Sequence, residues 1–164
     1  MPKKKVLPVD ISDWFQSQND QNWKCLGVSS MSEFVMAAQR ASVAAVCYAP
    51  GSNVICGALV GNRWNPGHDD CVVRVTAIVT SRMHKVIPVL RQLVQRLRQS
   101  ETLRGIECQV TREDASRFFS RLRFVEADIR EERYDCAKLC YSPVYRHTES
   151  ETRGLVRMSF IWYF

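Results

Sequence analysis

The chain has 164 residues, 46% hydrophobic and 24% charged, with a formal net charge of +6. That length fits one domain able to bury a sizeable core, and the composition excludes a disordered chain. No apolar run approaches the roughly 20 residues that a membrane-spanning helix needs, and the charge admits a polyanionic partner without demanding one.

The basic start, Met1-Pro-Lys-Lys-Lys5, is followed by no hydrophobic segment, so it does not read as a secretory signal. Asp10, Asp13 and Asp20 come too early for an ordinary organelle presequence, which leaves the compartment open between cytoplasm and mitochondrion. Seven cysteines form no Cys-x-x-Cys pair, so a disulfide framework is not expected and an intracellular, reducing compartment is favoured. His68 with Cys71, and Cys136 with Cys140, are single pairs where structural zinc needs four ligands, so no metal is expected. Cys47, Cys56 and Cys108 lie in apolar runs and read as small hydrophobes.

In chain order, Val6 to Val9 suggests an edge strand containing Pro8. Ile11, Trp14 and Phe15 suit a short helix capped by Asp10, and Gln16 to Asn22 a polar loop. A second helix runs through Phe34, Val35, Ala38 and Ala41, with Ser30 or Ser32 as its cap and Ser30–Glu33 as a capping box. Val43 to Tyr48 and Val54 to Val60 are two strands joined by a hairpin turn at Ala49-Pro-Gly-Ser-Asn53. Trp64 to Asp70 is another turn, and Cys71 to Thr80 a third strand. A helix over 86–100 carries Val86, Leu90, Leu93, Val94 and Leu97 on one stripe.

Beyond Gly105 the order is strand, helix, strand. An apolar run ends at Thr111; a helix with Glu113 and Asp114 at its positive end carries Ala115, Phe118, Phe119 and Leu122 on one face; a strand follows at Phe124-Val125. Cys136 to Val144 reads as a last strand. Residues 145–164 form a polar link with the aromatic end Phe160-Ile-Trp-Tyr-Phe164. The domain expectation is therefore 1–144 plus a C-terminal extension 145–164, with an α+β fold.

This order, and the segment from Arg112 to Asp128, resemble the GNAT acetyltransferase superfamily, whose last helix follows a strand with the pattern Asn-x-x-Ala-x-x-Phe-Tyr-x-x-x-Gly-Phe. The resemblance spans about residues 6 to 144. It implies a mixed central sheet of about six or seven strands flanked by about four helices. It also implies a wedge between the fourth and fifth strands for the pantetheine arm of acetyl-CoA. The family's phosphate loop, Arg/Gln-x-x-Gly-x-Gly/Ala, falls on His84, Ile87 and Val89 here. If acetyl-CoA binds, the resemblance places it against Val79, Thr80, Arg82, His84, Lys85 and Val86.

The reactive half of the family pattern is missing. β-Branched side chains at both glycine places crowd a phosphate and resist positive φ, and Pro88 removes a backbone donor. The family's Asn falls at Arg112, its Tyr at Phe119, which has no proton to give, and its Gly at Arg123. Asp69, Asp70 and Glu107 are candidate bases, and Tyr134 and Tyr141 candidate acids, none with a partner set by spacing. Cys108 lacks a positioned histidine and reads as inert. Catalytic residues are therefore unassigned.

Two main readings follow. One is a pseudoenzyme, a binding or structural subunit of a larger protein or ribonucleoprotein complex, contacting a protein partner through the 160–164 aromatic tail, with RNA or a ribonucleoprotein assembly permitted by the basic balance. The other is a divergent N-acetyltransferase using acetyl-CoA. A nucleic-acid binder as the sole role ranks below both, because arginines between 82 and 133 are interleaved with acidic residues.

Overall fold

The computed structural model describes residues 5–64, 72–100, 105–111, 125–126, 134–135, 140–141 and 157–163. It forms two compact units, Met1–Asn62 with Val75–Thr102, and Arg63–Arg74 with Leu103–Phe164. The fold is α+β.

The first unit opens with α1 (Pro8–Phe15), so the edge strand expected over Val6 to Val9 does not form. Pro8 sits at the first helical position, where its ring presets φ and its missing N–H costs nothing. Asp10 is the third helical residue rather than the cap, and its carboxylate accepts the Leu7 N–H at 3.4 Å. Ile11 and Phe15 are buried while Trp14 stays exposed. A 3-10 turn (Asp20–Asn22) then leads into β1 (Trp23–Leu26), a strand that its short polar surroundings concealed.

α2 (Met31–Arg40) starts on Ser30, whose Oγ accepts the Glu33 N–H at 3.2 Å. The Glu33 carboxylate reaches back one residue further than a capping box requires, to the Ser29 N–H at 2.8 Å. β2 (Val43–Tyr48) and β3 (Ile55–Trp64) pair antiparallel across the expected turn. Gly51 takes φ 69° there, and Ala49 N–H donates to Val54 O at 2.8 Å. β4 (Val72–Ser81) lies beside β3, and β1 pairs antiparallel with its far end, Trp23 opposite Ser81 through Leu26 opposite Ile78.

Side chains alternate across these strands. Ala44, Val46, Ala58, Val60, Ala77 and Val79 form one core with Phe15 and Phe34 of the first two helices. Phe15 meets Trp23 and Phe34 edge-on, with ring centroids 4.8 and 5.4 Å apart, a favoured geometry for aromatic pairs. The residues of opposite parity, including Cys47 and Gly57, face α3 (Val86–Ser100). Its buried stripe is Val89, Leu90, Leu93, Val94 and Leu97. Val86, expected on that stripe, is only half-buried, and Val89 takes its place.

In the second unit, β5 (Gly105–Thr111) pairs antiparallel with β9 (Arg157–Tyr163), from Gly105 opposite Tyr163 to Thr111 opposite Arg157. The other edge of β9 pairs with β6 (Val125–Glu126), the strand expected near Phe124-Val125. β7 (Tyr134–Asp135) and β8 (Cys140–Tyr141) form a separate two-stranded ladder. The aromatic end is thus a strand with both edges engaged over Phe160 and Ile161, within its own unit. The helix expected after Thr111, with Arg112, Phe119 and Arg123, lies outside the described residues, as do Asp69, Asp70 and the His68–Cys71 pair. Among the described residues no helix is long and apolar enough to cross a membrane.

Candidate functional site

The residues singled out around the phosphate loop meet where β4 ends and α3 begins, entirely within the first unit. Val79 is fully buried and belongs to the core shared with α1 and α2. Thr80 has the opposite parity and is also fully buried, with no hydrogen-bond partner for its hydroxyl oxygen among the described residues. Arg82 and Lys85 are exposed, and His84 and Val86 are half-buried. The His84 Nδ1 atom is enclosed and likewise has no partner among the described residues.

Ser81 organises the turn between strand and helix. Its carbonyl accepts the His84 N–H at 3.1 Å and its hydroxyl accepts the Met83 N–H at 3.3 Å. The Arg82 N–H donates to Asn22 O at 3.0 Å, continuing the ladder between β1 and β4. Three successive backbone donors, at 82, 83 and 84, are therefore spent inside the chain. Pro88 supplies none, and the N–H groups of Lys85, Val86 and Ile87, which precede the first intrahelical bond of α3, are the backbone donors that the junction keeps. Met83 stands almost wholly in solvent, at 92% exposure, so the turn presents side chains rather than backbone.

The β4 edge is taken as well. Asn22 bonds across to Arg82. In an antiparallel ladder the bonded pairs alternate, so Thr80 opposite Lys24 and Ile78 opposite Leu26 share that bonded parity. The backbone at 78–81 thus already carries a neighbouring strand. The sequence pattern gave no sign of this, because a four-residue strand with a polar Lys24 is too short for a period-2 signal. Ser81 was likewise missed, although a serine closing a β-rich run before Arg82-Met-His84 is a local turn signal.

Val89, threaded onto a glycine place of the phosphate loop, has a packing role. A Cβ placed on Gly57 would run into Val89 Cγ1, with the Val79 carbonyl oxygen at 3.2 Å and Leu93 Cδ1 at 3.5 Å. The close approach of strand and helix that a glycine in the loop would permit is met from the strand side, by Gly57, and the helix supplies the bulk.

Glu107, Cys108, Tyr134 and Tyr141 lie on β5, β7 and β8, in the second unit.

No family model and no curated protein matches the chain. Solved structures do. The NatC complex bound to Gag peptide and CoA contains a chain similar over 98% of this chain and 96% of its own, with a TM-score of 0.54 and 9% identity. The polyamine N-acetyltransferase of Drosophila melanogaster is similar over 98% of both chains, with a TM-score of 0.54 and 9% identity. A GNAT-family acetyltransferase of Streptococcus pneumoniae matches over 98% and 97%, with a TM-score of 0.52 and 10% identity. The chain has the GNAT fold.

Proposed function

We propose that this GNAT-fold chain does not transfer acetyl groups and instead acts as a binding or structural subunit of a larger protein assembly. The observation that carries this reading is the occupied β4 edge. Residues 78–81, on the strand beside which the fold's acyl-CoA arm is expected, are paired with the chain's own β1. The turn that follows uses its backbone donors at 82, 83 and 84 internally and Pro88 removes another, so the cradle of N–H groups that a diphosphate needs is reduced to the first turn of α3. Val89 fills space against Gly57 where a glycine would have left room. The residues therefore fit the pyrophosphate of CoA poorly through backbone. That a structural neighbour belongs to the NatC complex lends support to an assembly role. The partner is a protein, and the net charge of +6 permits a ribonucleoprotein as the setting.

A second reading rests on a specific observation. The Thr80 hydroxyl and His84 Nδ1 are enclosed and have no partner among the described residues, and Arg82 and Lys85 stand within five residues of Thr80. Buried polar atoms are ordinarily paired, so an anion held by these side chains would satisfy them. On this reading Val79, Thr80, Arg82, His84, Lys85 and Val86 hold acetyl-CoA through side chains and the chain is a divergent N-acetyltransferase.

Calorimetric titration with acetyl-CoA decides between them. No heat and no thermal shift at millimolar cofactor is the expected result, since binding to the folded state alone would raise stability by RT ln(1 + [L]/Kd). A micromolar affinity that falls in a Thr80→Val, His84→Ala double variant overturns the subunit reading.

A further inference from the structure

Outside this site, the β2–β3 hairpin holds a feature that acetyl transfer and subunit assembly leave unused. Cys47 lies opposite Gly57, whereas the next residue, Tyr48, lies opposite Ile55. Cys56 is therefore the extra residue of a β-bulge on β3, and such bulges re-aim side chains. Here the bulge brings Cys56 Sγ to 3.2 Å from Cys47 Sγ. Both residues are buried, at 3% and 2% exposure, and both are free thiols. The Gln92 side-chain oxygen of α3 accepts from Cys47 Sγ, so the pair is held in place from the helix as well.

We propose that Cys47 and Cys56 are a paired thiol modification site that closes reversibly into a disulfide by exchange with a small-molecule disulfide. A disulfide has an S–S distance of about 2.05 Å, so closure needs a movement of about 1.2 Å, within reach of small side-chain rotations. In the first step the thiolate of one cysteine attacks the reagent. One thiol of the reagent leaves, and the other half stays bound as a mixed disulfide. In the second step the neighbouring thiolate attacks the protein sulfur of that mixed disulfide and expels the second thiol. The protein loses two protons and two electrons, and one molecule of reagent is reduced to two thiols.

The hairpin gives the reagent a way in. Its turn, 50–54, is exposed, so opening of that end uncovers both sulfurs without unfolding the sheet. Burial, and then hydrogen bonding with Cys56, pushes the Cys47 thiol up to about 12, so exchange accelerates as pH rises and is slow near neutrality. Once formed, the bond removes the S–H that Gln92 accepts and ties the two strands together beside α3.

The test uses the full chain incubated with oxidised glutathione at about pH 9, where thiols uncovered by opening of the hairpin end, at the ordinary cysteine value of about 8.5, are largely ionised. Remaining thiols are then alkylated under denaturing conditions, and the protein is measured intact and as peptides without reduction. The expected product is a monomer that carries two fewer alkyl groups than the untreated, alkylated control, with the peptides carrying Cys47 and Cys56 linked and the link undone by dithiothreitol. The C25S variant should give the same link and C47S should not. The proposal is overturned if Cys47 and Cys56 are both alkylated in the treated wild-type chain. It is equally overturned if they end as stable glutathione adducts or pair with other cysteines. The wild-type chain gives the decisive result, so a poorly folding C47S variant leaves the test intact.

Discussion

Val89 lies against the backbone of Gly57, so that any side chain on Gly57 would displace it. This contact joins the first buried turn of α3 to the β-bulge region of β3, and it fixes how closely helix and sheet approach. Gly57→Ala should cost about 1–3 kcal/mol by overpacking. Val89→Ala should cost a similar amount, about 1–3 kcal/mol, by opening a cavity. The double variant should lose at least about 0.5 kcal/mol less than the sum, because the smaller residue makes room for the new methyl. Urea unfolding of the four proteins measures this, and strict additivity would separate the two residues energetically.

The start of α2 is secured from three directions. Asp20 Oδ1 accepts the Met31 N–H at 2.7 Å, Ser30 Oγ accepts from Glu33, and Glu33 accepts from Ser29. Ser30→Ala should therefore destabilise by about 0.5–2 kcal/mol, the usual range for a lost helix cap. Asp20→Ala should cost about 1–3 kcal/mol, because it leaves a part-buried donor unsatisfied. Denaturant midpoints read both, and an Asp20→Ala variant as stable as wild type would mean that water replaces the carboxylate without loss.

Trp23 holds β1 in place. It is 8% exposed, stacks edge-on against Phe15, and its indole N–H donates to Gln18 Oε1 at 3.1 Å. Trp23→Ala should lose about 3–5 kcal/mol, and Trp23→Phe should keep most of the packing while losing about 0.5–1.5 kcal/mol with the hydrogen bond. Thermal unfolding followed by circular dichroism ranks the three proteins. Equal losses in both variants would place the anchor in the indole N–H rather than in the ring.

Burial, with Asp20 as the next cause, raises the Cys25 thiol from 9.0 to about 11, and Cys47 rises to about 12. Each folded value lies above the unfolded one, so the neutral thiols contribute stability that is fully present below about pH 9. Above that pH the unfolded chain ionises first and releases protons that the folded chain keeps. Stability should fall between pH 9 and 11 and continue to fall towards pH 12. Urea midpoints across this range should drop less steeply in Cys25→Ala than in wild type, and parallel curves would show that Cys25 does not contribute.

The hairpin of β2 and β3, the helix over 86–100 and the cap at Ser30 were legible because each is written in a local pattern. Ala49-Pro-Gly-Ser-Asn53 is a turn signal between apolar runs, and Leu90, Leu93, Val94 and Leu97 repeat at helical spacing. The start of α1 was misread because Pro8 suits both an edge strand and the first turn of a helix. Asp10 taking the Leu7 N–H favours the helix. Val86 and Val89 both fit the helical stripe, and only the position of Gly57 on the facing strand decided that Val89 is the buried one.

By itself the amino-acid order settled the α+β class, the hydrophobic stripes, and the loss of glycine and N–H donors around Ile87, Pro88 and Val89. Those are properties of neighbouring residues, set by sterics and periodicity over a few positions. That β1 lies on the edge of β4, that Ser81 folds its own turn shut, and that Cys47 meets Cys56 were decided only by the tertiary structure. Strand pairing joins segments more than fifty residues apart in the first case. In the last, a single inserted residue in the ladder turns a side chain toward a partner that no spacing rule would select.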